Sequence, residues 1–459
     1  MGNYIVANRL MSNAPSRLNR GGDGYIKNGL VGDTSRAMQS GATIKRSIGK
    51  ISKLRKCIRT AHLQDIFDGC FKKAIEKMVE DGLVEDTEEA RTLVIDELGN
   101  AACDATGCKW DNRKDSPKKK KGSDKKGKDD QNTQEQAVAD ASDDEEAKGN
   151  VVITITRDAV DTIVNALVNT KRESILIERE NESLNEKDKK KVKSLKDAVK
   201  EALDNVRVSP EEALMGTMST GKTMQSITGG AEIGHSFSIN EFRPKGQFFS
   251  ATFEKGDFDE KRGSFYDSVY NEFAASKVDQ SNSETIGMNG DLSAEVMYTS
   301  TCVDIGLVRR NLQKTVTGGR LPEREDALEV VKDTVSKWFT AFPNAQPEGG
   351  QHSDSSHPVA SIVYFECIQD GFPRYPDAMF EQAIGRKEGS SISEQGIERI
   401  LTHAGDDTFN LNPEGVTKYV LLPAQYAKYK DAFRQIGVTV IDNARELEDV
   451  IRSEVERLF

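Results

Sequence analysis

Residues Gly216–Thr223 match the pattern G-x-x-x-x-G-K-[ST], in which backbone N–H groups and a lysine can hold phosphates. A working loop of this kind needs a buried strand before it and a helix after it, so that the helix dipole points at the phosphates. Here Pro210 and two glutamates stand where the strand should run, and Gly229-Gly230 follows within two turns. We therefore keep a P-loop nucleotide hydrolase, with Lys222 as its phosphate ligand, as the alternative function.

The residues that usually build a hydrolytic or metal site do not occur at their usual spacings. Five histidines, at 62, 235, 352, 357 and 403, are scattered, and neither HExxH nor G-x-S-x-G occurs. The six cysteines contain no CxxC pair, which excludes the usual spacing of a four-ligand zinc site and favours reduced thiols. We predict no catalytic residue, no metal and no cofactor, and hence a protein that is not an enzyme.

A different pattern near the N-terminus favours the binding of a polyanion. The turn Pro15–Gly22 carries two arginines, and Gln39–Arg46 is a loop with hydroxyl side chains that enters a helix. In that helix Ile44, Ile48 and Ile51 share one face, which leaves the lysines and arginines on the others. Serine and threonine at a helix start leave backbone N–H groups available for phosphate, beside the basic side chains. An ordinary capped amphipathic helix explains the same residues equally well.

Composition limits where such binding can occur. The chain has 459 residues, 36% of them apolar, and a formal net charge of −11, so nucleic acid must be bound by local basic patches. Between 111 and 150 a lysine-rich run precedes an acidic run with almost no large apolar residue, which predicts a disordered charged loop. No run of about 18 apolar residues occurs, so we expect a cytoplasmic protein with no membrane partner.

The predicted elements require one sheet to be assembled from distant parts of the chain. Strands are predicted at Tyr4–Leu10, Glu295–Asp304, Ser361–Glu366, Tyr419–Leu422 and Val438–Ile441, and Val151–Ile155, within the helical material, also has the composition of a strand. Helices are predicted over much of Leu54–Gly99, at Asp158–Leu167, Ser183–Val206, Pro376–Gly385 and Ala424–Ile436, and at Ala444–Leu458 with Asn443 as its cap. A helical insertion after the first strand of such a sheet predicts an α+β sandwich of ferredoxin-like type.

Six stretches of the sequence occur in the order of a known family pattern: Ser12–Arg20, Ser40–Arg46, Arg59–Leu63, Ala213–Thr220, Ala231–His235 and Leu307–Leu312. Together they resemble the CasC family, the repeated backbone subunit of type I-E CRISPR Cascade. The sequence departs from the family at Ser40–Thr43, where the family has S-S-Q-S, and at Thr217, where it has arginine. These departures concern the subtype and individual contacts rather than the fold.

The resemblance implies an RRM-like (ferredoxin-like) palm with a helical fingers insertion and a β-hairpin thumb. On this interpretation the palm comprises residues 1–51, 209–235 and 295–459. The fingers comprise 52–208, including the disordered loop 111–150, and the thumb hairpin comprises 236–294. This division agrees with the α+β fold that the pattern of elements predicts independently.

The resemblance also implies which residues contact nucleic acid. Guide phosphates and sugars would be held by Arg20, Ser40, Thr43, Lys45 and Arg46, and Met218 would wedge against a base, with Ser219 beside it. Phe248 and Phe249 stand where the family has a thumb Trp-Phe pair against a displaced base. A weaker match is the family's lysine-rich helix that guides DNA, at Lys187, Lys189, Lys190, Lys191 and Lys193, where a solvated helix face is nearly as good an interpretation.

The function so implied is that of a CRISPR-RNA-binding subunit. Copies of the chain would polymerise along one guide and present spacer segments for pairing to target DNA, together with other Cascade subunits. The alternatives are the P-loop hydrolase and an unrelated RNA-binding scaffold. ATP turnover separates the first from our prediction, and stacking of copies on one RNA separates the second.

Overall fold

The computed structural model describes residues 1–21, 25–54, 57–60, 64–106, 153–184, 189–219, 223–252, 285–347 and 355–459. The predicted disordered loop at 111–150 lies outside these residues. The chain forms two compact units. The first unit comprises Met1–Ile51, Ile233–Cys302 and Trp338–Asp449, and the second comprises Ser52–Glu232, Val303–Lys337 and Val450–Phe459.

The first unit is built on an open mixed sheet whose strands come from distant parts of the chain. The strands of the protein are β1 Gly2–Ser12, β2 Asn28–Val31, β3 Thr34–Gln39, β4 Ile58–Thr60, β5 Ile153–Ile155, β6 Ala231–Ile233, β7 Ser236–Ser238, β8 Lys245–Thr252, β9 Thr285–Leu292, β10 Val296–Asp304, β11 Ala360–Gly371, β12 Val416–Leu421 and β13 Thr439–Ile441. Eight of these strands follow one another in this sheet in the order β13-β12-β11-β1-β10-β7-β3-β2, and a ninth, β6, also pairs with β10. The β12–β13 pair is parallel, whereas β1–β11, β11–β12 and β7–β10 are antiparallel.

The pairing of β1 with β11 shows which residues lie at each end of these two strands. Gly2 lies opposite Gly371, and Met11 lies opposite Ala360. Both strands are buried over most of their length, and they carry polar residues such as Asn8 and Arg9 into the interior together with the apolar ones. On one face, Tyr298, Tyr364 and their neighbours form a core with the apolar sides of flanking helices.

The helices of the chain are α1 Gly41–Ile51, α2 Gln64–Glu80, α3 Glu88–Thr106, α4 Arg157–Asn181, α5 Leu195–Leu203, α6 Pro210–Met215, α7 Ile305–Asn311, α8 Ala327–Ala341, α9 Ile392–Ala404, α10 Lys430–Gln435 and α11 Ala444–Leu458. Short 3₁₀ helices occur at Phe342–Asn344, Pro376–Phe380, Pro413–Gly415 and Ala424–Tyr429. No helix in the described part of the chain is long and apolar enough to cross a membrane.

The second unit is mainly helical. Phe67, Phe71 and Leu98 from α2 and α3 pack with Ile163 and Leu167 from α4 in one buried cluster. The strands β4 and β5 pair antiparallel, so the polypeptide enters and leaves this helical region side by side. The second unit also contains residues 209–232, 303–337 and 450–459, which the sequence analysis assigned to the palm.

The predicted local elements match the structure where they rest on strong periodicity or caps. The strands predicted at Tyr4–Leu10 and Glu295–Asp304 occur as β1 and β10. Asn443 caps α11 as predicted, because its Oδ1 accepts the backbone N–H groups of Arg445 at 3.0 Å and Glu446 at 3.1 Å.

Two predicted helices are wrong in extent. The helix predicted at Ser183–Val206 begins only at Leu195, and the lysine-rich residues 189–194 before it are not helical. The helix predicted at Pro376–Gly385 is only a 3₁₀ helix that ends at Phe380. There the carbonyls of Phe380 and Glu381 accept hydrogen bonds from the guanidinium of Arg36, at 3.2 and 3.0 Å, so tertiary contacts replace intrahelical ones.

Within 236–294, β8 and β9 form a separate two-stranded antiparallel ladder. Its register runs from Lys245 opposite Leu292 to Thr252 opposite Thr285. The residues that connect the two strands, 253–284, lie outside the described part of the chain. The assignment of this region as a thumb stays a prediction.

Candidate nucleic-acid interface

Helix α1 begins at the hydroxyl-bearing turn that the sequence analysis singled out. The hydroxyls of Ser40 and Thr43 are 2.6 Å apart, and the carbonyl of Ser40 accepts the backbone N–H groups of Thr43 and Ile44 at 3.0 and 3.2 Å. No acidic residue lies in the first turn of the helix. The first turn of the helix therefore contributes no carboxylate, and the helix dipole at this end favours an anion.

The amphipathic face of α1 is as predicted for its first two isoleucines. Ile44 and Ile48 are fully buried, whereas Ile51 is 47% exposed. Arg46 and Lys50 are exposed, and Lys45 is half-buried. Burial of one stripe thus places the basic side chains along the remaining faces of the helix.

Gly41 allows the helix start to lie against the backbone of Ile233 and Gly234. A Cβ atom at this position would lie 2.6 Å from the carbonyl oxygen of Ile233 and 3.0 Å from that of Gly234. Both distances are shorter than ordinary contacts, and neither carbonyl belongs to a side chain that can rotate away. The glycine in Ser40–Arg46 is therefore required by packing, although the family pattern has serine there.

The loop that carries Arg20 is joined to α1 by a side-chain contact. The amide of Asn19 donates a hydrogen bond to Thr43 Oγ1 at 3.3 Å, and the carbonyl of Asn19 accepts the N–H of Lys27 at 3.0 Å. The backbone of Arg20 pairs with that of Ile26 in a single antiparallel β-bridge, and Arg20 is exposed. The structure thus brings together Arg20 and the first turn of α1, which are twenty residues apart in sequence.

These elements form a locally basic part of an acidic chain. Residues 1–51 contain eight lysines and arginines against two aspartates, which gives a formal charge of +6. Three of the eight, Arg9, Arg17 and Arg36, are buried. The other five form what we call the basic surface: Arg20, Lys27, Lys45, Arg46 and Lys50.

The buried arginines contact the protein interior and are not part of the basic surface. Arg9 donates hydrogen bonds to the carbonyls of Phe342 and Ala345, and its guanidinium lies 4.7 Å from the ring centre of Phe342. Burial lowers the pKa of Arg9 to about 9. Sequence reasoning identified neither this arginine nor Arg36, because a basic residue in a strand gives no signal that it is internal.

Met218 and Ser219 lie in the second unit, on a tight loop. The backbone groups of Thr217 and Ile227 are paired in both directions, at 2.8 and 3.2 Å, and the N–H of Ser219 bonds to the hydroxyl of Ser226 at 3.0 Å. Gly216 has a φ of +75°, and a Cβ there would lie 2.7 Å from Gly229 N. Met218 is 60% exposed on this loop, which these hydrogen bonds hold in place.

The surroundings of Gly216 differ from those of a P-loop. Helix α6 precedes it where a strand is needed, and Ser209 and Glu212 cap that helix with reciprocal hydrogen bonds of 3.2 and 2.8 Å. No helix follows among the described residues 223–230. Thr220, Gly221 and Lys222 themselves lie outside the described part of the chain.

The predicted DNA-guiding lysines are exposed but not on a helix. Lys189, Lys190, Lys191 and Lys193 all lie in the non-helical segment before α5, which corrects the prediction of a lysine-rich helix. Lys190 pairs with Glu180 at 2.7 Å, and Lys193 pairs with Glu201 at 2.6 Å. Lys187 lies outside the described residues.

Phe248 and Phe249 lie in β8, opposite Asn289 and Met288 respectively. Successive residues of a strand point to opposite faces, so only one of the two phenylalanines can face a given side of the ladder. Their side chains lie outside the described part of the structure. Their role in base stacking stays a prediction.

Comparison with protein families identifies the chain. A family model described as CT1975-like protein (Cas_CT1975) matches residues 5–444. The chain belongs to this family. A comparison with curated proteins finds no match. The narrower resemblance to CasC of type I-E Cascade stays a prediction.

Solved structures share the fold of this CT1975-like protein. A chain of a "CRISPR RNA-guided surveillance complex, pre-nicking" is similar with a TM-score of 0.62 and 15% sequence identity, covering 99% of this chain and 100% of that one. A chain of a "CRISPR RNA-guided surveillance complex" has a TM-score of 0.54 and 12% identity, covering 98% and 99%. The matches cover nearly all of this chain, and what they share with it is the mixed α+β fold.

Proposed function

We propose that this CT1975-like protein is a guide-RNA-binding backbone subunit of a type I CRISPR surveillance complex. The observation that carries the proposal is the basic surface at the start of α1. Membership of the family and the fold shared with chains of RNA-guided surveillance complexes support it. In this role the first unit is an RRM-like palm, and several copies polymerise along one CRISPR RNA with other subunits of the complex.

The basic surface binds RNA through its backbone. Arg20, Lys45 and Arg46 neutralise phosphates, while Ser40 and Thr43 lie at the helix start, whose N–H groups attract anions. Such contacts do not depend on base identity, so the same surface can hold any guide sequence. Specificity for the target then comes from pairing between guide and DNA.

The remaining predicted residues contact bases of the bound guide or the target DNA. Met218, on its hydrogen-bonded loop, wedges against a base. Phe248 and Phe249 on β8 stack against a displaced base. Stacking on a flat ring is independent of sequence and contributes about 1–3 kcal/mol per base. Lys189, Lys190, Lys191 and Lys193 contribute a weaker contact to target DNA. None of these roles requires a catalytic step, and we propose that the chain is not an enzyme.

The decisive experiment is to purify the full chain and to characterise the RNA that co-purifies with it. We expect RNA of uniform length, longer than one protein copy can cover, with copies stacked head to tail in electron micrographs. ATP turnover that Lys222→Ala abolishes would instead support the hydrolase. RNA of random length, bound by single copies, would instead indicate an RNA-binding protein that does not polymerise along a guide.

A further inference from the structure

A small cavity in the first unit lies next to the basic surface. It has a volume of about 10 Å³, and it is lined by the segment 13–19, by Ile26, by the last residues of β3, and by Ser293 and Met297. The segment 13–19 leads to Arg20, and β3 leads directly into α1. The cavity therefore lies between the two parts of the chain that carry the basic surface.

Gln39, the last residue of β3, lines the cavity with a buried carboxamide. The residue is 5% exposed, and its side chain makes no hydrogen bond to any described residue. Gln39 and Ala37 are two apart in β3, so their side chains point to the same face of the sheet. Ala37 packs there with Ile26 and Met297, which also line the cavity. The carboxamide is therefore directed at the cavity, where it needs a hydrogen-bond partner.

Polar side chains also line the cavity from the segment 13–19. Asn13 and Ser16 are 7% and 1% exposed. Asn13 Oδ1 accepts Gln346 Nε2 at 2.7 Å, and its Nδ2 bonds to no residue in the described part of the chain. Ser16 Oγ donates to the carbonyl of Ser293 at 3.5 Å, which is long for a hydroxyl hydrogen bond. Both side chains can therefore bond to a further group in the cavity.

Backbone hydrogen bonds hold the walls of the cavity in place. Ser16 and Ser293 exchange two N–H···O=C bonds, both at 2.9 Å. On the other side of Arg20, the N–H of Gly21 bonds to the carbonyl of Tyr25 at 2.8 Å, and Arg20 itself pairs with Ile26. Because Ile26 and Gln39 line the same cavity, a change in its contents would shift the backbone that carries Arg20.

The size and charge of the cavity restrict what it can bind. About 10 Å³ is close to the space that one water molecule occupies, and it is too small for a sugar or a base. None of the described residues that line it is charged, so an ion would be buried there without a counter-charge. A buried water typically makes about three hydrogen bonds, which Gln39, Asn13 and Ser16 can provide.

We propose that this cavity binds one water molecule, which joins the carboxamide of Gln39 to the segment 13–19, and that Gln39 is a positioning residue for Arg20. The inference deepens the proposed function and rests on it. The hydrogen bond from Asn19 to Thr43 is long, at 3.3 Å, and the water adds a second link between the loop of Arg20 and the start of α1. Gln39 is too deeply buried to contact RNA, so it acts through Arg20.

The water is tested without RNA. A crystal structure of the full chain, at a resolution that shows ordered waters, should contain a water within about 3.2 Å of the Gln39 carboxamide and of a polar atom in 13–19. Gln39→Met keeps the size of the side chain and removes its polar atoms. With the water bound, this variant loses hydrogen bonds and should unfold at a lower urea concentration than the wild type. A dry cavity, or a variant made more stable by removal of an unpaired buried amide, overturns the inference.

The positioning role is tested by RNA binding under conditions in which every variant is folded. Gln39→Met should weaken binding about two- to tenfold, the effect of losing one hydrogen bond. Because Arg20 is displaced from its phosphate, the slope of log affinity against log salt should also fall, although the variant removes no charge. Gln395→Met, the same change at a half-buried position on α9 of the same unit, is the control and should alter neither quantity.

A double variant separates positioning from a general loss of structure. Gln39→Met combined with Arg20→Ala should bind RNA about as weakly as Arg20→Ala alone, because the residue that Gln39 positions is absent. Additive losses, or a wild-type salt slope for Gln39→Met, overturn the positioning role. If the wild type binds no RNA at low salt, the proposed function is wrong, and the crystal structure and urea unfolding still decide whether the water is bound.

Discussion

The side-chain amide of Asn19 donates a hydrogen bond to Thr43 Oγ1 at 3.3 Å. Thr43 is in turn 2.6 Å from the hydroxyl of Ser40, so the loop before β2 and the first turn of α1 share one small network. This network places Arg20 beside a helix start that has no acidic residue of its own. It is the structural basis for our proposal that these residues form one RNA-binding surface.

Removing charge from α1 should weaken RNA binding without unfolding the chain. For Lys45→Ala combined with Arg46→Ala we expect lower affinity for every RNA sequence, because the lost contacts are to phosphates. The slope of log affinity against log salt should fall by about 2. The control is Lys72→Ala with Lys73→Ala, an exposed basic pair on α2. Unchanged affinity and slope would show that this helix does not bind RNA.

Gly41→Ala should destabilise the first unit. The new methyl group would lie 2.6 Å from the carbonyl oxygen of Ile233, and overpacking of this kind costs about 1–3 kcal/mol. Gly69→Ala on α2 is the control, since nothing lies within 4 Å of its added Cβ. There we expect a gain of about 0.5–1 kcal/mol from helix propensity. Urea unfolding measures both, and equal effects would contradict the close approach at Gly41.

Met218→Ala should change how the guide is exposed while leaving stability unchanged. The side chain is 60% exposed, so its loss removes little packing energy. Nuclease digestion of the bound RNA should lose its periodic pattern of protection. Leu176→Ala, at a 49% exposed position on α4, should keep that pattern. An identical footprint for both variants would remove Met218 from the RNA-binding residues.

Arg374→Met should be strongly destabilising, because it leaves a carboxylate buried without its cation. Arg374 Nη2 lies 2.8 Å from Oε1 of Glu366, which is fully buried and also accepts the hydroxyl of Tyr364 at 2.8 Å. Breaking such a pair costs about 3–5 kcal/mol. Adding Glu366→Gln should recover part of this loss, as chemical denaturation can measure.

The matched control for that variant is Arg434→Met. Arg434 pairs with Asp431 at 2.7 Å, but both side chains are more than half exposed. Exposed pairs of this kind contribute about 0–1 kcal/mol. A loss at Arg434 as large as that at Arg374 would argue against a special role for burial.

Glu394 should make stability depend on pH in the acid range. Lys428, with further hydrogen bonds from Ser391, lowers the pKa of Glu394 from 4.5 to about 2. A lowered folded-state pKa means that the stabilisation is complete above about pH 4.5 and is lost as pH falls towards 2. Glu394→Gln should therefore be less stable than the wild type at pH 6, and the difference should shrink between pH 4.5 and 2. A constant difference across this range would show that Glu394 does not titrate as described.

Short sequence patterns predicted the strands and helix starts that depend on residues close together in the sequence. Alternating or continuous apolar runs located β1, β10 and β11, and the capping chemistry of Asn443 located the start of α11. The spacing of Ile44 and Ile48 predicted the buried stripe of α1. These features are set by neighbours in sequence, so a pattern is enough to find them.

The failures occurred where distant residues replace local hydrogen bonds. Residues 376–385 have helical periodicity, but Arg36 and Arg399 donate to the carbonyls of this segment, and the helix stops at Phe380. Before α5, the side-chain amide of Asn181 donates to the carbonyl of Lys190 and accepts its N–H, both at 2.9 Å, in place of helical hydrogen bonds.

By itself the sequence determined that the chain is mixed α and β, that its first 51 residues are basic within an acidic whole, and that Ser40–Arg46 opens an amphipathic helix. Only the tertiary structure decided which arginines are internal and that Asn19 reaches Thr43. The reason is that periodicity and capping act over a few residues. Pairings such as Gly2 with Gly371 depend on how the whole core packs.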